Sequence, residues 1–121
     1  MTRLVVLLAL LAPLGGCKKK AEPAKESKPA VATMPISEVQ RSRDACTIYV
    51  EKICACATTK PDLAKQCDLA KALPEAVRIG LEVAASPDSG PDIVEQSYAS
   101  VRKTAGECFE QTAKLPALGC N

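Results

Sequence analysis

Within SEVQRSRDACTIYVEKICACATTKP, residues 37–61, Val39, Cys46, Val50, Ile53 and Ala57 recur at near-helical spacing, with Tyr49 beside them. That period predicts an amphipathic helix with one buried stripe. Ser37 is the expected N-cap and Glu38 sits in the first turn, where a carboxylate favours the positive end of the helix dipole. Thr58, Thr59, Lys60 and Pro61 then end the segment. Three cysteines lie on this one helix, at Cys46, Cys54 and Cys56. Two positions apart, Cys54 and Cys56 point about 200° from each other. They therefore cannot share a partner, and each must meet a different neighbouring element.

Working outward, Pro61 is suited to the first turn of a second helix, whose stripe is Leu63, Cys67, Ala70 and Leu73. Pro74 is expected to break it, because proline lacks an N–H and crowds the preceding turn. Val77, Leu81 and Ala84 resume the stripe. The run SPDSGP, residues 86–91, is the clearest loop in the chain. A last helix should carry Val94, Tyr98, Val101, Ala105, Cys108 and Thr112 on one face, followed by a non-helical tail over residues 115–120. The fold class is therefore all-α: a small disulfide-stapled bundle of three to four short helices spanning residues 37–121. A core of this size supplies only about 3 to 5 kcal/mol. Each disulfide adds typically about 2 to 4 kcal/mol, so the bridges should decide whether the body folds.

The chain has seven cysteines, no histidine and no tryptophan. Setting Cys17 aside leaves an even set, Cys46, Cys54, Cys56, Cys67, Cys108 and Cys120, which reads as a disulfide framework of an oxidising compartment. The pairing expected from helix order joins Cys54 and Cys56 to Cys67 and Cys108, in either order. Cys46 is left for Cys120 on a tail that returns down the bundle.

The N-terminal segment has a different character. Arg3 precedes an almost wholly apolar run over residues 4–14, and Leu14-Gly15-Gly16-Cys17 closes it. The run is too short for a spanning helix, which needs about 20 apolar residues, and has the form of a signal peptide. The closing tetrapeptide resembles the lipobox of bacterial lipoproteins: leucine at −3, two small residues, then cysteine. The resemblance covers the first seventeen residues. It implies cleavage between Gly16 and Cys17, removal of residues 1–16, and a covalent lipid on Cys17 as membrane anchor. A mature second residue other than aspartate, here Lys18, implies the outer membrane by analogy with lipoprotein sorting.

Residues 17–36 are rich in Lys, Ala, Pro and Glu, with prolines at Pro23, Pro29 and Pro35. They are expected to form a disordered, solvated tether reaching up to roughly 60 Å from the bilayer.

Sixteen Lys and Arg stand against fourteen Asp and Glu, for a net charge of +2. Residues 37–121 alone carry ten bases and twelve acids. Such a mildly acidic body repels phosphate backbones, and no nucleic-acid partner is expected. Without histidine the familiar serine and cysteine nucleophiles lose their usual base. Glu51, Glu82, Glu95, Glu107 and Glu110 read as solvated surface charge. No catalytic residue, metal site or cofactor is expected: Cys-Ala-Cys is not the C-x-x-C spacing of structural zinc or of thiol redox centres. Disulfide-stapled lipid-transfer proteins share a Cys-x-Cys element, but they carry eight cysteines with an adjacent pair. The expected role is a non-enzymatic interaction or structural module of the cell envelope, with an envelope protein or the cell wall as partner. The alternative is a binder of a small apolar ligand, with Tyr49, Tyr98 and Phe109 as candidate lining residues.

Overall fold

A computed structural model of the protein describes residues 33–121. Every element in that range is helical: α1 (Ile36–Ala57), α2 (Ala64–Ala70), α3 (Ala72–Ala85) and α4 (Pro91–Lys114), with 3-10 turns at Pro61–Leu63 and Leu115–Leu118. The all-α, disulfide-stapled bundle expected from the sequence is what forms. The expected signal peptide with its cleavage site at Gly16 and Cys17, and most of the expected tether, lie outside the described residues.

The α1 helix starts one residue before the expected cap. Pro35, not Ser37, occupies the N-cap position, and its carbonyl accepts from the Glu38 and Val39 amides at 2.9 and 3.0 Å. Proline disfavours the α conformation for the residue before it, which stops the helix from extending to Met34. Met34 is instead buried in the core. The packed body thus begins before residue 37, and Met34 and Ile36 belong to it rather than to the tether. At the other end the threonines act as read. Thr58 Oγ1 donates to the Ala55 carbonyl at 2.7 Å and Thr59 Oγ1 to the Cys56 carbonyl at 3.0 Å, satisfying two of the last carbonyls of α1.

Pro74 does interrupt the helix, but the break lies at Lys71, three residues upstream. A proline ring collides with the carbonyl four residues earlier, here that of Ala70, the last residue of α2. Pro74 itself sits in the first turn of α3, where amide hydrogens have no helical partner to lose. Gly90 and Pro91 open α4 as N-cap and first residue.

The apolar stripes all turn inward. Cys46, Tyr49 and Ile53 of α1 meet Leu63, Ala70, Val77 and Leu81 from the second arm, and Val101 and Cys108 of α4. α1 and α4 run parallel, since Glu38 meets Arg102, Cys46 meets Cys108 and Cys56 meets Cys120 in rising order. The α2–α3 arm descends between them. Gly80 makes the α3–α4 contact possible: a Cβ there would stand 2.7 Å from Val101 Cγ2.

Candidate functional site

The six cysteines supply the densest chemistry of the body, and all six are paired. Cys46 joins Cys108, Cys54 joins Cys67 and Cys56 joins Cys120, with Cα separations of 4.9, 4.8 and 5.5 Å. These lie within the usual range for a bridge. Cys54 and Cys56 do go to different neighbours, as their opposed directions require. The Cys54–Cys67 bridge is one of the alternatives expected from the sequence. The other two pairs are a correction, because Cys108 goes to Cys46 and Cys120 to Cys56.

The physical reason is the register of α4 on α1 and the course of the tail. Glu38–Arg102 and Cys46–Cys108 are separated by 64 and 62 residues. Cys108 therefore lies level with Cys46, ten residues and about 15 Å below Cys56. Beyond Lys114 the chain does not turn back. The 3-10 turn at Leu115–Leu118 continues upward, a second correction to the expected non-helical, returning tail. Gly119, at φ 75°, adopts the left-handed conformation that glycine tolerates, and the Cys120 amide donates to the Leu115 carbonyl at 3.0 Å. Cys120 arrives beside Cys56, and Lys60 Nζ holds the turn by donating to the Leu118 carbonyl at 2.8 Å.

Electrostatics around the bundle are those of a solvated surface. Arg102 makes a forked contact to Glu38, Nε–Oε1 at 2.6 Å and Nη2–Oε2 at 3.3 Å, tying α4 to the first turn of α1. This hydrogen bond holds the Glu38 carboxyl below its usual value and raises Arg102. On α3, Arg78 bridges Glu75 and Glu82 one turn to either side, and Glu75 is likewise lowered by the Arg78 hydrogen bond. Glu51, Glu82, Glu95, Glu107 and Glu110 are all exposed. Among the described residues no buried side-chain nitrogen or oxygen lacks a hydrogen-bond partner, and no three His, Cys, Asp or Glu converge as metal ligands would.

Shallow clefts lie on the surface of the described residues. One, of about 260 Å³, lies against the α1–α2 junction and α4 and is bordered by Tyr49, Gln66, Leu69, Leu73, Glu107 and Gln111. Gln66 Nε2 donates to Tyr49 Oη there at 2.9 Å. Another, of about 290 Å³, runs along the outer seam of α1 and α4 between Arg41, Ser42, Ala45, Ala105, Gly106 and Phe109. The three aromatics do not share a pocket: Tyr49 is in the core, Tyr98 is half-buried, and Phe109 is 72% exposed. Phe109 was expected as a pocket-lining residue, yet its position next to Cys108, off the buried stripe of α4, is the periodicity signal that places it outside.

Among the described residues no helix is long and apolar enough to cross a membrane. No protein-family model matches the chain, and neither a curated protein nor a solved structure gives a match.

Proposed function

We propose that the protein is an exported lipoprotein whose bridged helical body works as a non-enzymatic interaction module of the cell envelope. In this reading residues 1–16 direct export, Cys17 carries the lipid, and the residues that follow hold the body off the outer membrane. The observation that carries it is the framework Cys46–Cys108, Cys54–Cys67 and Cys56–Cys120 in a chain that also contains Leu14-Gly15-Gly16-Cys17. Three bridges in so small a body need an oxidising compartment. Several acyl chains on one cysteine give a stable anchor where a single chain binds only marginally. A body with its polar groups satisfied and its carboxylates spread over the surface offers faces for contact rather than a centre for chemistry.

The test is mass analysis of the protein made in a two-membrane bacterium. The expected product begins at Cys17, carries diacylglycerol-derived acyl mass, and shows no free thiol among the other six cysteines. Cys17→Ser should keep the three bridges and lose the lipid. A product that retains residues 1–16 with an unmodified Cys17 would overturn the proposal.

A further inference from the structure

We propose that Cys56–Cys120 is a redox-operated clasp: a dithiol reductant opens this bridge first, and its opening releases residues 116–120 from the end of the bundle. The three bridges differ in access. Cys46 and Cys108 are both fully buried, so a thiolate reaches neither sulfur unless the α1–α4 joint unfolds. Each of the other two joins a half-buried cysteine of α1, Cys54 or Cys56, to a buried one, Cys67 at 7% or Cys120 at 5%. Access alone leaves these two, and two further observations separate them.

The first is what holds the freed sulfurs together. Cys54 and Cys67 stay on α1 and α2, joined by a short turn that hydrogen bonds of Thr58, Thr59 and Leu63 fix, so these thiols remain face to face and reclose. Cys120 belongs to no helix. The segment that carries it is held by the buried Leu115, by the Cys120 amide on the Leu115 carbonyl and by Lys60 Nζ on the Leu118 carbonyl. Once that sulfur is free, its effective concentration at Cys56 falls. The second is charge. Lys52 lies one turn before Cys56 on the same face of α1, and a Cβ at Gly119, next to Cys120, would stand 2.6 Å from Lys60 Nζ. Neighbouring ammonium groups favour both the arriving and the departing thiolate. Cys54 instead follows Glu51 by three residues, and Lys71, one turn beyond Cys67, is spent on Asp68 at 2.8 Å.

In the reaction a thiolate of the dithiol attacks Cys56 Sγ, forming a mixed disulfide and expelling Cys120 as a thiolate that takes a proton from water. The dithiol's second thiolate then attacks its own partner sulfur in that mixed disulfide and expels Cys56. Two electrons pass to the bridge, and the dithiol closes to an internal disulfide. Cys46–Cys108 and Cys54–Cys67 keep α1, α2 and α4 in register throughout. The inference concerns the body's own sulfurs and does not depend on lipid at Cys17.

A reduction time course on the oxidised full chain in non-ionic detergent tests it. Any free thiol is capped first, limiting dithiothreitol is added, and samples are acid-quenched, alkylated with a second label and mapped by mass. The singly reduced species should carry the label at Cys56 and Cys120, exceeding the species labelled at Cys54 and Cys67 about tenfold or more. Cys46 and Cys108 should be labelled last. In the purified singly reduced species trypsin should cut after Lys114 about tenfold faster or more than in the oxidised protein, because a released segment opens locally. Helical circular dichroism and cooperative melting should persist in that species. First labelling at Cys54 and Cys67, loss of all three bridges with no singly reduced species, or residues 115–120 as protected from trypsin when reduced as when bridged would each overturn the proposal.

Discussion

Gly80 and Gly106 lie on helices that need no glycine for their backbone, yet their substitution should have opposite effects. At Gly80 the added methyl meets Val101 Cγ2 at 2.7 Å, and Val101 is itself 1% exposed. A β-branched side chain has one favoured rotamer in a helix and cannot swing aside, so α3 and α4 must move apart. Gly80→Ala should destabilise the protein by about 1 to 2 kcal/mol, the overpacking cost less the gain in helix propensity. Gly106→Ala meets no neighbour and should stabilise the protein by up to about 1 kcal/mol. Urea denaturation at low protein concentration reads both, and a Gly80→Ala midpoint at or above that of the unaltered chain would contradict the close packing. Met34 teaches a related lesson. Its place in the core was not legible, since it follows a proline-rich run and precedes the first turn of apolar periodicity.

At the scale of elements, the stripes were readable because helical spacing is a local property. Val77, Leu81 and Ala84 on α3, and Val94, Val101 and Cys108 on α4, are buried as their positions require. The joints were less readable. Pro74 announced a break, but the break falls at Lys71, where steric conflict with the Ala70 carbonyl is relieved. The bridges that hold the elements are not equivalent. Cys54–Cys67 closes a loop of 13 residues, whereas Cys46–Cys108 spans 62. Loop-closure entropy assigns the shorter about 3 kcal/mol and the longer about 4 kcal/mol. Both sulfurs of the longer bridge are also fully buried, so truncation there leaves a cavity as well. The double variant Cys46→Ala, Cys108→Ala should therefore have a lower denaturant midpoint than Cys54→Ala, Cys67→Ala. The reverse order would mean that the turn between α1 and α2, rather than the α1–α4 register, is the critical joint.

The whole molecule is held by bridges more than by its interior. Among the described residues eight large apolar side chains are exposed, including Ile36 at 88%, Phe109 at 72% and Leu69 at 66%. The buried ones apart from cysteine and alanine are scarcely more numerous: Met34, Tyr49, Ile53, Leu63, Val77, Leu81, Val94, Val101 and Leu115. A core this thin leaves little margin over chain entropy. Full reduction with a phosphine should abolish cooperative melting at 37 °C and remove most of the helical circular dichroism. Retention of a sharp transition in the reduced protein would show that packing alone suffices.

The amino-acid sequence by itself determined the class of fold, the helical segments with their inward faces, and the even set of six cysteines beyond Cys17. These follow from spacing along one helix and from counting, which require no knowledge of neighbours. The pairing of Cys46 with Cys108 and of Cys56 with Cys120 was decided only by the tertiary structure. Each depends on how far α4 slides along α1 and on which way the chain leaves Lys114. That slide is set by side chains interlocking across elements some sixty residues apart in the chain, where local periodicity carries no information.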